Sequence, residues 1–183
     1  MNNSSFEGAN DLIILVNEQD EQVGIQDKFS VHQLGLLHRA FSVFVFSSRN
    51  ELLLQQRADD KYHSPGLWSN TCCSHPIPGE KTIDACHRRL MEEMSLRCDL
   101  RHVFSFIYRC NFSNGLIENE FDHVYVGYSD DFPILNKCEA KDWKYISMND
   151  LEREIQLHPN NFTEWLKICL PRLIEHTKSY QIN

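Results

Sequence analysis

The stretch Thr82-Ile83-Asp84-Ala85-Cys86-His87-Arg88-Arg89-Leu90-Met91-Glu92-Glu93-Met94 carries the clearest structural pattern in the chain. Its apolar residues Ile83, Cys86, Leu90 and Met94 recur at the spacing of one helical face, and charged residues occupy the other face. This periodicity predicts an amphipathic helix over residues 82–94.

Strand patterns lie on both sides of this helix. Residues 41–46 and 51–57 predict a hairpin, because the polar turn Ser47-Ser48-Arg49-Asn50 separates two apolar runs. Further strands are predicted over residues 12–16, 68–72, 103–109, 116–127 and 143–146, and helices over 148–156 and 162–179. Pro171 is expected to kink or split the last of these helices.

Strands of mixed length with few helices between them predict an α/β (α+β) fold, in which a mixed β-sheet is flanked by helices. The chain has 183 residues, a length that predicts a single domain over 1–183. Residues 1–10 are expected to be a flexible N-terminal segment.

Composition and charge exclude several classes of function. The formal net charge of -8 at pH 7 argues against a general nucleic-acid binder, which needs a basic surface to neutralise phosphates. No apolar run approaches the ~18–20 residues of a membrane span, and residues 1–11 lack the pattern of a secretory signal. The seven cysteines are odd in number and lie largely in apolar segments, which is typical of reduced thiols. We therefore expect a cytoplasmic protein without a nucleic-acid or membrane partner, as a monomer or weak dimer.

Histidines and glutamates indicate a candidate metal site. His32 and His38 lie in and just after a predicted loop, and His75 follows a predicted strand. Glu118 and Glu120 lie two residues apart on another strand, so their carboxylates face the same side. Three imidazoles and two carboxylates suit Mn²⁺ or Zn²⁺ and are too rich in nitrogen for a plain Ca²⁺ site. Spacing alone also allows the alternative that these are ordinary surface or core histidines and a solvated strand face.

Cys73 is a candidate proton-transfer group. Near His75 and a metal or cations, the pKa of its thiol is expected to be lowered toward a working range. The alternative is that Cys72 and Cys73 are both ordinary buried cysteines. Strand alternation allows one of them to face the core and the other a pocket, and spacing does not decide which.

Four cations and one tryptophan are candidates for contact with a substrate. Arg57 and Lys61 flank a tight loop and would bind a diphosphate, Arg57 through bidentate bonds and Lys61 as a point charge. Lys28 and Arg89 are the other two cations, and each of the four is alternatively a solvated surface charge. Trp165 lies in an apolar helical stripe that favours core packing, although an indole face turned into a pocket would stabilise a cation.

Four short segments are informative as a set. They are His38-Arg39-Ala40-Phe41-Ser42, Leu52-Leu53-Leu54-Gln55-Gln56-Arg57, Asn70-Thr71-Cys72-Cys73-Ser74-His75-Pro76 and Gly115-Leu116-Ile117-Glu118-Asn119-Glu120. Together they resemble the type I isopentenyl-diphosphate isomerase family. The similarity runs in order from about Leu12 to Trp165, and the pairing of Cys-Ser-His-Pro with Glu-Asn-Glu at this separation is highly specific.

That family is a branch of the Nudix fold. Its version of the Nudix box is matched here by Ser74, Glu80, Arg88, Arg89, Leu90, Glu92 and Glu93. The chain departs from the general Nudix pattern at Ser74 and Ser95, where hydrolases usually carry Gly, and at Arg89, where they carry a metal-binding Glu. The departure at Arg89 weakens the alternative of a Nudix hydrolase that cleaves a nucleoside or other diphosphate, and it fits the isomerase branch. A third alternative is a non-catalytic binding module in which the histidines and glutamates form a structural metal site.

The resemblance implies a reversible 1,3-allylic double-bond shift between isopentenyl diphosphate and dimethylallyl diphosphate, by protonation and deprotonation through a tertiary carbocation. The partner is then a small-molecule diphosphate, and no organic cofactor is required, because the alkene itself carries the charge. Cys73 and Glu120 match the two proton-transfer residues, with Tyr108 hydrogen-bonded near the glutamate. Trp165 matches the aromatic residue that faces the cationic centre.

The resemblance also implies two metal positions and an anion site. The ligands of the first metal, Mn²⁺ or Zn²⁺, are implied to be His32, His38, His75, Glu118 and Glu120. Glu93 is implied to reach a second ion, Mg²⁺, which bridges to the substrate diphosphate. The diphosphate-binding positions are matched by Lys28, Arg57, Lys61 and Arg89. We expect Trp68, Tyr108 and Trp165 to wall a dry pocket that keeps water from the cation.

Overall fold

The computed structural model describes residues 12–61 and 63–180, with side chains described up to residue 176. The segment 1–10, which is expected to be flexible, lies outside these residues. None of the helices within them combines the length and the apolar character that a bilayer crossing requires.

Strands dominate the first two thirds of the described chain, and two of its longer helices come at the end. The strands are β1 (Leu12–Val16), β2 (Gln22–Asp27), β3 (His38–Phe46), β4 (Glu51–Arg57), β5 (Trp68–Ser69), β6 (Cys72–Ser74), β7 (Leu100–Asn111), β8 (Ile117–Tyr128) and β9 (Ala140–Ser147). The α-helices are α1 (Lys28–Leu34), α2 (Thr82–Met94), α3 (Met148–Leu157) and α4 (Glu164–Tyr180), and a short 3-10 helix covers Pro159–Asn161.

Strand β3 is the centre of one mixed sheet. It pairs in parallel with β8 along its whole length, from His38 opposite Glu120 to Phe46 opposite Tyr128. Its other edge pairs antiparallel with β6, and with β1 and β4 near its two ends. The sheet continues through β7 beyond β8, through β9 beyond β4, and through β2 beyond β1. The prediction of a mixed sheet is therefore confirmed.

Alternate residues of β3 contribute to two separate cores. Phe44 and Phe46 pack with residues of α3 and α4, whereas Phe41, Val43 and Val45 pack with residues of α2. Successive strand residues point to opposite faces of a sheet, and a strand buried on both faces reads as a continuous apolar run. The sheet therefore carries helices on both faces, as the sequence predicts.

Helix α1 corrects the prediction that His32 lies in a loop. The Asp27 carboxylate accepts a hydrogen bond from Ser30 N at 2.9 Å and caps the start of the helix. Gly35 ends the helix with a left-handed φ of 63°, a conformation that favours glycine. Lys28 and His32 consequently lie one turn apart on the same helical face.

The prediction of one strand over residues 68–72 is wrong. Between β5 and β6, two side chains form hydrogen bonds with backbone carbonyls of neighbouring strands. The Asn70 amide donates to the Val43 carbonyl at 3.2 Å. The Thr71 hydroxyl donates to the Leu53 carbonyl at 2.6 Å. Side chains of this kind compete with regular strand pairing, so β5 and β6 are separate short strands.

The other predicted elements are present, although β3, β7 and β9 each begin three residues earlier than predicted and β2 was not predicted. Helix α2 spans Thr82–Met94 as predicted, and β3 and β4 are joined by the predicted turn. Helix α4 continues through Pro171, so the alternative in which it splits is wrong. Pro171 is exposed, so the carbonyl that lacks a helical partner lies on the solvent side of the helix.

Gly127 lies where β8 is covered by the chain segment before β7. A Cβ atom added there would lie 2.7 Å from Cys98 Sγ, 2.7 Å from Leu100 Cδ2 and 2.8 Å from the backbone oxygen of Asp99. We expect Gly127→Ala to lower the free energy of unfolding by about 1–3 kcal/mol through overpacking, measured by urea denaturation. Gly24→Ala is the control, because its Cβ would meet its nearest atom at 3.4 Å. A Gly127→Ala protein as stable as the parent would contradict the packing described.

Candidate active site

A pocket of about 120 Å³ opens where β3 and β4 diverge. The two strands pair with each other only through Phe46 and Leu52, and β6 and β5 pair with them beyond that point. All of the catalytic, substrate-binding and metal-binding residues predicted from the sequence, except His32 and His38, line this pocket. His32 and His38 lie directly behind it, fully buried.

Four elements bring the predicted metal ligands together. The parallel register of β3 and β8 sets His38 opposite Glu120, and Glu118 follows on the same face of β8. The donor atoms of His38, Glu118 and Glu120 all lie within 4.8 Å of one another, and so do those of His32, His38 and His75. Helix α1 supplies His32 and β6 is followed by His75. The structure therefore places all five residues around one point.

The orientation of the imidazoles fits a divalent ion. His32 Nδ1 donates to the Lys28 carbonyl at 2.6 Å, and His38 Nδ1 donates to the Leu36 carbonyl at 2.8 Å. These bonds turn each Nε2 toward the carboxylates, which is the arrangement of metal-binding histidines. His32 Nε2 lies 3.2 Å from Glu118 Oε2, and His38 Nε2 lies 3.6 Å from Glu120 Oε1. Imidazole nitrogens mixed with carboxylate oxygens suit a transition metal or Zn²⁺.

Burial and mutual contacts give the two carboxylates different acidities. Burial, followed by the charge of Glu120, raises the pKa of Glu118. Burial opposes ionisation of Glu120, but the neighbouring imidazoles of His38 and His75 hold its pKa well below the ordinary value. Burial lowers the pKa of His75 to about 3, which keeps its ring in the neutral form that binds metal ions.

The two adjacent cysteines face different surroundings. Cys72 lies in the core beside α2, where its thiol contacts Glu93 Oε1 at 3.4 Å. Cys73 faces the pocket. Burial raises the pKa of Cys73 to about 12, even though Arg57 opposes this effect, so the expected lowering of its pKa is wrong. Desolvation outweighs the nearby positive charge, and the thiol stays protonated at neutral pH.

Tyr108 contacts the same glutamate as the histidines. Its hydroxyl donates to Glu120 Oε2 at 2.6 Å, and Tyr108 lies opposite Glu120 in the pairing of β7 with β8. Burial raises the pKa of Tyr108 well above its ordinary value. The Tyr108 side chain is therefore a neutral phenol that donates a hydrogen bond to the Glu120 carboxylate.

Glu93 lies in the same pocket but apart from the histidines. Arg89 donates to Glu93 Oε1 from Nη2 at 2.8 Å, and the Gln55 amide donates to Glu93 Oε2 at 2.9 Å. Arg89 also pairs with Glu139 at 3.0 Å, and Lys61 forms an ion pair with the same Glu139. Two of the predicted diphosphate-binding cations are thus held by acidic partners, and the partners face the pocket.

Trp165 is both a core residue and a wall of the pocket. Its indole N–H donates to Ser69 Oγ at 2.9 Å, and its ring lies 5.2 Å from the guanidinium carbon of Arg57. Trp68 is not among the described residues that line the pocket, contrary to the expectation. The ammonium of Lys144 lies over the Trp68 ring at 4.7 Å instead.

Sequence patterns missed two ionisable residues of this pocket, Glu139 and His63. Glu139 precedes β9, and His63 lies in the loop between β4 and β5. Neither belongs to a local motif, because each reaches the pocket through the path of a loop in three dimensions. The only local signal that His63 belongs to the pocket is its position two residues after Lys61, a predicted diphosphate-binding residue.

The chain is similar to known proteins at two levels. Residues 36–166 match the NUDIX domain family. The chain is 52% identical over 164 residues to isopentenyl-diphosphate Delta-isomerase 2 of Aromatoleum aromaticum, covering 90% of this chain and 87% of that protein. It is 47% identical over 169 residues to isopentenyl-diphosphate Delta-isomerase of Pectobacterium atrosepticum, covering 92% and 94%. The crystal structure of DR0079 from Deinococcus radiodurans aligns with a TM-score of 0.74 at 21% identity, covering 88% of this chain and 98% of that one, which shows a shared fold.

Loss of a central donor should abolish metal binding at this cluster. We expect His38→Ala to weaken binding of Mn²⁺ or Zn²⁺ by at least about 100-fold. Removing a residue that only hydrogen-bonds to a metal ligand already costs up to about 100-fold in affinity, and His38 is a predicted ligand. Titration calorimetry and the rise in melting temperature on adding the metal alone measure this. His158→Ala, at an exposed position, should keep the full response. An unchanged affinity in His38→Ala would place the metal elsewhere.

Proposed function

The chain belongs to the isopentenyl-diphosphate Delta-isomerase family, on the Nudix fold, and we propose that Cys73 and Glu120 transfer its two protons from opposite sides of the substrate. The enzyme moves a double bond reversibly between isopentenyl diphosphate and dimethylallyl diphosphate. The observation that carries the proposal is that both side chains line one pocket from strands on opposite edges of β3.

The reaction needs two such groups. An unactivated alkene is protonated to a tertiary carbocation, and a proton then leaves a neighbouring carbon. One group must start protonated and the other must be ready to accept a proton. The protonated thiol of Cys73 and the ionised carboxylate of Glu120, with Tyr108 donating to it, supply complementary states. Each group serves in both directions, because the reaction is reversible.

Four cations form the proposed binding site for the diphosphate. Lys28, Arg57, Lys61 and Arg89 line the pocket of a chain whose net charge is -8. Burial lowers the pKa of Lys28, and the negative charge of Glu118 opposes this effect. The positive charges of Lys61, Arg89 and Arg57 lower the pKa further. Positive groups held this close repel one another, and a diphosphate would relieve that repulsion.

Trp165 is proposed to face the carbocation. A cation–π contact is worth about 2 kcal/mol or more once the pair is desolvated. Water must also be kept away, because it would convert the cation to an alcohol. The indole is fixed by its bond to Ser69 and is only 5% exposed, which supports both roles.

Divalent metal binding fits the residues present. We propose Mn²⁺ or Zn²⁺ among His32, His38, His75, Glu118 and Glu120, and Mg²⁺ at Glu93 with the diphosphate. When bound, such ions supply positive charge that holds the carboxylates in place and neutralises the diphosphate. No organic cofactor is required.

The proposed setting is the cytoplasm, as a monomer or weak dimer without a nucleic-acid or membrane partner. All seven cysteines are unpaired, which fits a reducing compartment. The acidic net charge is unsuited to binding nucleic acid.

Removing either proton-transfer group should stop turnover. We expect Cys73→Ala and Glu120→Gln each to lower kcat by about 10²–10⁴-fold or more, the usual contribution of a positioned acid or base. The assay incubates isopentenyl diphosphate with Mg²⁺ and then treats it with acid, since only the allylic product is acid-labile. Cys138→Ala and Glu152→Gln, both at exposed positions, are the matched controls.

Two results would count against this proposal. A Cys73→Ala protein that turns over at the parental rate removes the thiol from the reaction. Release of inorganic phosphate from nucleotides, without acid-labile product from isopentenyl diphosphate, would favour the Nudix hydrolase reading instead.

Trp165 should affect turnover more than binding. We expect Trp165→Ala to lower kcat by about 30-fold or more with a smaller change in KM, because about 2 kcal/mol of cation–π energy applies only to the carbocation. Trp165→Phe keeps an aromatic face and should recover part of the rate. Circular dichroism checks that both variants are folded, and a loss confined to KM would be inconsistent with the proposed role.

A further inference from the structure

An outer groove lies beside the catalytic pocket and shares a described lining residue with it. The groove has a volume of about 490 Å³, and its apolar wall is formed by Pro65, Leu67 and Phe112. Among the described residues, His63 alone lines both the groove and the catalytic pocket. His63 therefore lies at the partition between the two spaces.

The partition is held by contacts on several sides. The His63 ring stacks on Phe112 with centroids 5.2 Å apart and an interplanar angle of 16°. It meets Trp165 edge to face at 5.7 Å and 81°. Its Nε2 lies 3.6 Å from Glu118 Oε1, and the residue is only 8% exposed. A side chain packed in this way cannot swing aside without breaking both aromatic contacts.

The backbone of the same loop is fixed by a residue of the diphosphate site. Arg57 Nη2 donates to the His63 carbonyl and Arg57 Nε donates to the Ser64 carbonyl, each at 3.2 Å. Arg57 also lies over Trp165. Arg57 thereby ties the loop backbone that carries His63 to the proposed anion site.

We propose that His63 is the end wall of the hydrocarbon slot and determines the length of the tail that the enzyme accepts. This inference rests on the proposed function. A five-carbon homoallylic diphosphate fits between the cations and the ring, whereas a homologue with a longer branch meets the imidazole. Beyond the ring, Leu67, Phe112 and Pro65 offer an apolar surface that would receive the extra carbons. His63 is thus a specificity-determining residue.

The test compares two substrates in variants that shorten the wall. The second substrate is a homologue of isopentenyl diphosphate in which a propyl group replaces the methyl group on C3. His63→Asn shortens the side chain but keeps it polar, and His63→Ala removes it beyond Cβ. We expect both to raise the ratio of kcat/KM for the homologue to kcat/KM for isopentenyl diphosphate by at least about tenfold, the effect of one or more methylenes in a pocket. His87→Ala, at an exposed position on α2, should leave the ratio unchanged.

The outcomes separate this inference from the proposed function. Folded His63→Asn and His63→Ala proteins that isomerise isopentenyl diphosphate with the parental substrate ratio would overturn the wall and leave the isomerase function intact. A parental protein that fails to isomerise isopentenyl diphosphate would overturn the function itself. If His63→Ala does not fold, His63→Asn and Phe112→Ala decide, because loss of the ring stacked behind His63 should shift the ratio in the same direction.

Discussion

The parallel pairing of β3 with β8 is the constraint on which both the core and the site depend. β3 is buried on both faces, and its register with β8 brings His38 beside Glu120. Strand alternation then places Glu118 on the same face as Glu120. A slip of one residue would turn the whole set of β8 side chains to the opposite face. The apolar side chains that fix this register, such as Val124 against the core of α4, therefore also fix the donor set.

The buried metal-ligand candidates on β3 and β8 lower the stability of the fold when no metal ion is bound. His38, Glu118 and Glu120 are at most 9% exposed, and burying ionisable groups costs free energy unless they are paired or bind a metal. The raised pKa of Glu118, caused first by burial, reflects that cost. Apolar residues of the same volume would pack as well or better, so such a cluster is retained for what it binds rather than for stability.

Local patterns predicted the elements that carry their own periodicity. The helix over Thr82–Met94 was predicted to the residue, because its apolar face repeats over three turns. The seven-residue helix α1 was missed, since it is too short to show a period, although Asp27 and Gly35 mark its ends. The pKa of Cys73 was predicted in the wrong direction, because the depth of burial is set by tertiary packing. His63 reaches the pocket only through the path of a loop, which no local pattern encodes.

The proposed pocket has a diphosphate-binding end and a hydrocarbon end, and the two contribute differently to isomerisation. The diphosphate is the same in substrate and product, so cations that bind it hold both isomers and the carbocation about equally. Uniform binding of this kind does not by itself lower the barrier. In the proposed assignment the acceleration of the reaction must come from the other end of the pocket. There Cys73, Glu120 and Trp165 contact the positive charge of the carbocation, which neither isomer carries. That end needs a fixed, dry boundary, and the stacked ring of His63 lies where such a boundary is required.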